Sequence, residues 1–247
     1  MIKFLDLIKQ DKKLHKPILK KINKLFKKGD FIMGKEVEIF EKNFSKFCKS
    51  KYAISCANGT DALTLALKSL NLPKNSEVLI PAMTYCSTAF AVIEANLKPI
   101  LVDTEKLSST ISILDLKKKI TKKTKVILPV HLYGSAAKLK DIKRLIKNKK
   151  IYLIDDCAQA HGAYEGTDNY KRKIGSATDI SCFSLYPGKN LGAYGDAGII
   201  TTNNLNFYNK LRKLRNLGSE KKFIHDEVGL NSRLDTIQAI ILNEKLK

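Results

Sequence analysis

Residues Asp179 to Gly198 read DISCFSLYPGKNLGAYGDAG, and the character of the whole chain turns on them. The run Ile180 to Tyr186 is apolar and β-prone, which predicts a buried strand. Pro187-Gly188 then turns the chain and presents Lys189. Gly192, Gly195 and Gly198 follow, residues that let a backbone turn tightly or approach a ligand. Ser184 stands at the end of the strand, just before the turn. A lysine held at a strand end and partly desolvated acts as an amine nucleophile toward carbonyls. The same residues, taken alone, also describe a surface lysine in a Pro-Gly turn, and the rest of the chain decides between the two.

Upstream, strands and helices alternate. Leu14, Ile18, Ile22, Leu25 and Phe26 fall at helical spacing and predict one amphipathic helix over 11–28, ended by Gly29-Asp30. Val37, Phe40, Phe44 and Phe47 predict a second over 35–48. Tyr52–Cys56 reads as a strand; Asn58-Gly59 turns the chain, and Thr60 is positioned to cap a helix over 61–70. Strands follow at 77–80, 99–102, 125–130 and 151–154, with helices at about 86–96, 113–120 and 138–148 between them. Beyond the 180–184 strand come a strand at 198–202 and a helix at 204–216. A last helix carries Leu234, Ile237, Ile241, Leu242 and Leu246 and reaches Lys247 with neither Gly cap nor Pro stop, so the chain reads as one cut short.

This alternation predicts an α/β fold with a mostly parallel, buried sheet. Ligands of such sheets bind beyond the carboxyl ends of the strands. Thr60, Tyr85, His131, Asp156, Ser184 and Lys189 all fall at that edge. The Gly turn before the 61–70 helix leaves free amides at a positive dipole end, which suits a phosphate and equally an ordinary βα connection. No G-x-G-x-x-G follows the first strand, so a dinucleotide-binding Rossmann domain is weakly supported.

Composition narrows the classes. The 247 residues carry 45 Lys and Arg against 24 Asp and Glu, a formal charge of +21. The lysines are scattered, and the densest runs, Lys117-Lys118-Lys119 and 147–150, lie at predicted helix ends, where cations suit the dipole. This speaks against a nucleic-acid partner. Five widely spaced cysteines form no C-x-x-C and no metal spacing, which fits a reduced cytoplasmic interior and no metal site. The opening MIKFLDLIKQ turns polar too early for a signal peptide, and no apolar run reaches membrane-spanning length. The expected location is the cytoplasm, with no membrane partner.

Ordered motifs extend from Phe4-Leu-Asp-Leu7 to Lys247: GKEVEIFEKNF (34–44), ISCANGTDAL (54–63), PAMTYCST (81–88), TKVILPVHLYG (124–134), IDDCAQAHGA (154–163), CFSLYPGKNLGAYGDAGIITTN (182–203), LRNLGS (214–219) and GLNSRLDTIQAIIL (229–242). Together they resemble the DegT/DnrJ/EryC1/StrS family of nucleotide-sugar aminotransferases. These are pyridoxal 5'-phosphate (PLP) enzymes of the aspartate aminotransferase fold, fold type I. The resemblance implies that 1–247 forms a PLP-binding large domain including the N-terminal helices, with the family's small C-terminal domain missing.

It also implies roles. Lys189 matches the lysine that holds PLP covalently, as an aldimine, and then shuttles the proton; Asp156 matches the acid that keeps the pyridine nitrogen protonated. Gln159 matches the residue near the phenolic oxygen, and Tyr85 the aromatic that stacks on the ring. Gly59, Thr60, Asp61 and Ser184 match the phosphate cup, with the amides of Thr60 and Asp61 as donors. Asn231 matches a residue that reaches the other subunit's phosphate site, which implies a homodimer with shared active sites; Arg233 follows it in the motif. His131 and His161 read as structural, and Cys86, Cys157 and Cys182 as small core residues.

The implied reaction carries an amino group, with glutamate as donor, to a nucleotide-linked keto-sugar. The sugar is a 3-keto one, a dTDP-6-deoxyhexose or a UDP-uronate, with 4-keto sugars the near alternative. The product would serve O-antigen, capsule or other glycoconjugate synthesis. A catalytically incomplete PLP-binding fragment is the competing reading. A dehydratase branch carries His in place of the lysine, and Lys189 argues against it. One departure is the loop 164–175, longer than the family's usual Tyr-x-Gly-x-x-x-Gly.

Overall fold

The computed structural model describes residues 5–166, 171–221 and 223–247. Phe4 of the first motif and residues 167–170 of the long loop lie outside the described residues. The described chain opens with helices α1 (Leu7–Asp11), α2 (His15–Lys28) and α3 (Lys35–Cys48). The single helix expected over 11–28 therefore begins at His15, preceded by a separate short one. Asp6 caps that first turn by accepting the Lys9 N–H at 3.0 Å. Its last residue, Asp11, is buried and pairs with Lys245, distant in sequence, at 2.8 Å.

Strand and helix then alternate as expected: β1 (Tyr52–Cys56), α4 (Gly59–Ser69), β2 (Glu77–Pro81), α5 (Cys86–Glu94), β3 (Lys98–Val102), α6 (Ile113–Lys119), β4 (Thr124–Ile127), α7 (Leu139–Ile146) and β5 (Tyr152–Asp156). The strand expected over 125–130 stops at Ile127; Pro129 has no N–H to continue the ladder, and Val130 returns only as an isolated bridge to Asp156. The described part of the long 164–175 loop is not irregular. Its ends pair antiparallel as β6 (Tyr164–Glu165) and β7 (Arg172–Lys173). Then come β8 (Ile180–Ser184), β9 (Gly198–Thr202), α8 (Leu205–Leu214), the small ribbon β10 (Ser219–Lys221) and β11 (Ile224–His225), and α9 (Thr236–Lys245).

Seven strands form the central sheet in the order β1-β9-β8-β5-β4-β2-β3. The pairs from β8 to β3 are parallel, while β9 is antiparallel to both neighbours. The carboxyl ends of β1, β2, β4, β5 and β8 thus share one edge, and β9 begins there. Neighbouring strand residues alternate between two cores. Leu79, Ile127, Leu153, Phe183 and Ile199 pack with α3, α7 and α9, whereas Val78, Val126, Ile154, Cys182 and Ile200 pack with α4, α5 and α8. The sheet is covered on both faces, which is why its strands read as nearly unbroken apolar runs.

Two interactions hold the strand ends in place. Phe44 of α3 meets Phe183 of β8 edge-on at 5.1 Å and packs against Phe40 and Phe47. Arg215, buried after α8, donates to Glu41 of α3 and to the Ser55 carbonyl of β1 at 2.7 Å. Phe44→Ala is expected to lower unfolding free energy by about 3–5 kcal/mol, since a fully buried ring leaves a cavity. Urea denaturation with unchanged m-value measures it.

Candidate active site

At the shared strand edge lies a cavity of about 800 Å³. Gly59, Thr60, Asp61, Tyr85, Asp156, Gln159, Ser184 and Lys189 all line it. Asn231 does not: it is exposed and forms an isolated bridge with Asn216, to which Arg233 also donates at 3.2 Å. His131 and His161 also lie outside the lining.

One wall is built on the start of α4. The cap is Asn58, not Thr60; its Oδ1 accepts the Asp61 N–H at 2.8 Å, so the helix starts at Gly59. The Asp61 amide is therefore engaged, and the amides of Gly59 and Thr60, with no intrahelical acceptor, are the ones left facing outward. The Thr60 hydroxyl donates to Ser87 Oγ at 2.8 Å. A Cβ on Gly59 would stand 2.6 Å from Ser184 Cβ, so only glycine lets this turn reach β8. At Gly198, opposite Cys56 and Ser184 in the sheet, a Cβ would meet the Asn58 carbonyl at 2.2 Å. These two close approaches draw the Thr60, Ser87 and Ser184 hydroxyls around the positive end of a helix, an arrangement that holds a phosphate.

The adjacent acids of β5 face opposite ways. Asp155 is fully buried beneath the edge. Burial would raise its pKa, but hydrogen bonds from His131, Ser181 and Thr178 outweigh burial and hold it below the ordinary carboxylate range. The His131 tautomer follows from its partners: Nδ1 accepts the Ala137 N–H at 3.0 Å, so the proton lies on Nε2 and is donated to Asp155 at 3.0 Å. Cys157 lies close to this pair, but its thiol is pushed well up by burial and both imidazole nitrogens are engaged. The trio is a hydrogen-bonded support rather than a metal centre. Asp156 faces the cavity. Its pKa is raised by burial, opposed by the Ala158 N–H at 3.0 Å and the Thr88 hydroxyl at 3.0 Å.

Lys189 rides on a loop that folds back on itself. Its N–H donates to the Tyr186 carbonyl at 2.9 Å, and Leu185 and Ala197 pair at 2.8 Å across the loop's neck. A Cβ on Gly192 would strike the Pro187 carbonyl at 2.3 Å, so the loop closes only with glycine there. The Gln238 side chain of α9 accepts the Tyr194 N–H at 2.9 Å and ties the loop to the last helix. Beneath it, His161 packs 5.4 Å from Phe183, and burial, reinforced by the nearby Lys189 charge, depresses its pKa to about 4. It stays neutral at working pH.

The sequence reading missed Asn58, Thr84, Ser87, Thr88, Tyr186 and Asp196. All but Thr88 line the cavity. Thr84 precedes the N-cap of α5 and Thr88 stands on its first turn, and their hydroxyls meet at 2.8 Å. Cys86, expected in the core, is exposed as the first residue of α5, while Cys157 and Cys182 are buried.

The residues present fit pyridoxal phosphate: an amine, a buried carboxylate and an anion cradle that two glycines hold open face one cavity, with Tyr85, 72% exposed, free to stack on a ring.

The model of the DegT/DnrJ/EryC1/StrS aminotransferase family matches residues 12–247. The chain is 37% identical over 246 residues to the dTDP-3-amino-3,4,6-trideoxy-alpha-D-glucose transaminase of Streptomyces venezuelae, covering 99% of this chain and 64% of that one. It is 42% identical over 247 residues to the dTDP-3-amino-3,6-dideoxy-alpha-D-galactopyranose transaminase of Aneurinibacillus thermoaerophilus, covering 100% and 67%. Among solved structures, S. venezuelae DesV in complex with a ketimine intermediate superposes with TM-score 0.94 at 37% identity, over 99% of this chain and 65% of that one. NtdA of Bacillus subtilis with bound cofactor PMP gives 0.91 at 31%, over 99% and 55%. The chain thus spans about two thirds or less of the length of most of these proteins.

The two acids make opposite predictions. A carboxyl whose folded pKa lies above its unfolded value weakens the fold wherever it is ionised, and relief comes as pH falls through the folded pKa. Asp156→Asn is therefore expected to raise the melting temperature of the cofactor-free protein at pH 7, the gain shrinking as the buffer is acidified. Asp155, with its pKa depressed, stabilises above its unfolded pKa, so Asp155→Asn is expected to lower the melting temperature at pH 7. Thermal scans across pH read both.

Proposed function

This chain belongs to the DegT/DnrJ/EryC1/StrS aminotransferase family, and from that premise we propose that it acts as a PLP-dependent aminotransferase on a nucleotide-linked keto-sugar. The observation that carries the reading is the meeting of Lys189, Asp156 and the α4 anion cradle in one cavity. When bound, the cofactor supplies an electron sink that acidifies the α-proton of an amino acid. Gly59 and Thr60 amides with the Thr60 and Ser184 hydroxyls would hold its phosphate at the helix end. Asp156 would hold a proton at the ring nitrogen, and Gln159 would lie along the phenolic oxygen. Tyr85 would cover a ring face. The Lys189 amine would attach the cofactor and, once freed, move a proton between the donor's α-carbon and the cofactor's exocyclic carbon.

The substrate class is supported by the relatives, whose names specify 3-amino sugars on dTDP. We therefore favour a 3-keto sugar on a nucleoside diphosphate, with glutamate as donor and 4-keto sugars as the alternative. The product would enter surface polysaccharide or glycoconjugate synthesis in the cytoplasm. A homodimer with shared sites is proposed on two grounds. Asn231 lies off its own chain's cavity, and Phe90 and Ile93 leave apolar surface in water on α5, the helix that starts at the cavity mouth. We take residues 1–247 to be the cofactor-binding large domain. A second reading follows from the share of its relatives that the chain spans: these residues would bind the cofactor without completing the reaction.

An absorption spectrum with PLP, before and after glutamate, tests the proposal. The expected result is a visible band that Lys189→Ala abolishes and that bleaches with glutamate. A band indifferent to glutamate favours the binding-only reading, and a wild-type chain without any band overturns both.

A further inference from the structure

Asp156 is held from two sides. Oδ1 accepts the Ala158 N–H, and Oδ2 accepts the hydroxyl of Thr88, which is fully buried on the first turn of α5. A threonine hydroxyl has one proton to donate. Thr88 gives that proton to Asp156, so the 2.8 Å contact between Thr84 Oγ1 and Thr88 Oγ1 runs the other way, with Thr84 donating. Thr84 lines the cavity. The two threonines form a directed chain of hydrogen bonds from the cavity wall to the carboxylate.

We propose that Thr88, oriented by Thr84, is a positioning residue of this site: its hydroxyl keeps Asp156 charged and aimed, and so sets the protonation of the group that Asp156 serves, which rests on the cofactor reading given above.

The surroundings leave this task to few groups. Burial disfavours the charge on Asp156. His131 and Lys189 are the cationic-type side chains that face it. The ring nitrogens of His131 are both engaged elsewhere, with Asp155 and the Ala137 N–H, so it gives Asp156 no hydrogen bond. Asp155 and the thiols of Cys157 and Cys182, on β5, β8 and the turn between, are the other titratable neighbours, and none of them adds positive charge. Of the hydrogen-bond donors described on Asp156, one is main chain and invariant to substitution. Thr88 is the one a side chain supplies. A donor to the charged form lowers a carboxyl's pKa, so its removal raises it. A more basic Asp156 would hold the proton itself rather than leave it on the ring nitrogen it serves, and the bound cofactor would then be a weaker electron sink.

The test compares Thr88→Val, which keeps the shape, with Thr88→Ser, which keeps the hydroxyl. Carbon-13 NMR titration of the Asp156 carboxyl in the cofactor-free protein, its resonance assigned by loss in Asp156→Asn, reads the effect directly. The expected shift in Thr88→Val is about one to two pH units upward, roughly 10- to 100-fold in proton affinity, with Thr88→Ser close to wild type. Loaded with PLP, Thr88→Val should also show a displaced pH midpoint of the visible band and weaker cofactor binding by fluorescence. A Thr88→Val chain that titrates with wild type, or a Thr88→Ser chain that fails to restore the midpoint, overturns the proposal. Should Thr88→Val fail to fold, Thr84→Ala is read in its place: a smaller upward shift supports the chain of donors and an unmoved midpoint overturns it. A wild-type protein that gives no band with PLP defeats the cofactor reading, and the carboxyl titration still decides whether Thr88 governs Asp156.

Discussion

Two adjacent carboxylates leave water together at the end of β5, and the surrounding structure is arranged to tolerate that. A bare buried carboxylate is costly, so each must be paired or hydrogen-bonded. Asp155 turns into the protein and is satisfied there by Thr178 and the Nε2 proton of His131. Asp156 turns toward the cavity and is satisfied only in part. The first acid is a structural support that anchors β5 to the turn after β4. The second is left with a raised pKa and a face open to a ligand. The alternation of side chains along a strand separates the two roles, because neighbouring residues must point to opposite faces.

The remaining parts of the site are tied to that strand end by backbone approach rather than by long side chains. Gly59 lies against Ser184 and Gly198 against the Asn58 carbonyl, so the ends of β1, β8 and β9 come together more closely than any larger residue permits. The cradle at α4 and the Lys189 loop are thus fixed relative to one another by main chain. Phe44 and Arg215 brace the same strand ends from the α3 side. A site built this way holds its geometry before any ligand arrives, which is the condition for efficient orientation of a reacting group.

Raised pKa values and partly satisfied donors are a stability cost that concentrates where chemistry is expected. His161 fits the same pattern: its ring is buried beneath the lysine loop, and burial depresses its pKa to about 4.

Much of this was legible in the chain itself. The 35–48 helix and the strands at 52–56, 180–184 and 198–202 fall where periodicity put them, because each is buried on a regular face and its apolar spacing records that burial. The lysine, the acid and the glycine turn could be singled out because they stand at strand ends in an α/β alternation, where such sheets bind ligands. What the tertiary structure decided are matters of partner. Asn58 rather than Thr60 caps α4, Asp11 at the end of α1 pairs with Lys245, and the described ends of the long loop pair as antiparallel strands. In the Thr84-Thr88-Asp156 chain, Thr88 and Asp156 stand 68 positions apart. Local spacing encodes which face of an element is buried; it does not encode which distant group will be waiting there, and hydrogen bonds at the site depend on that second fact.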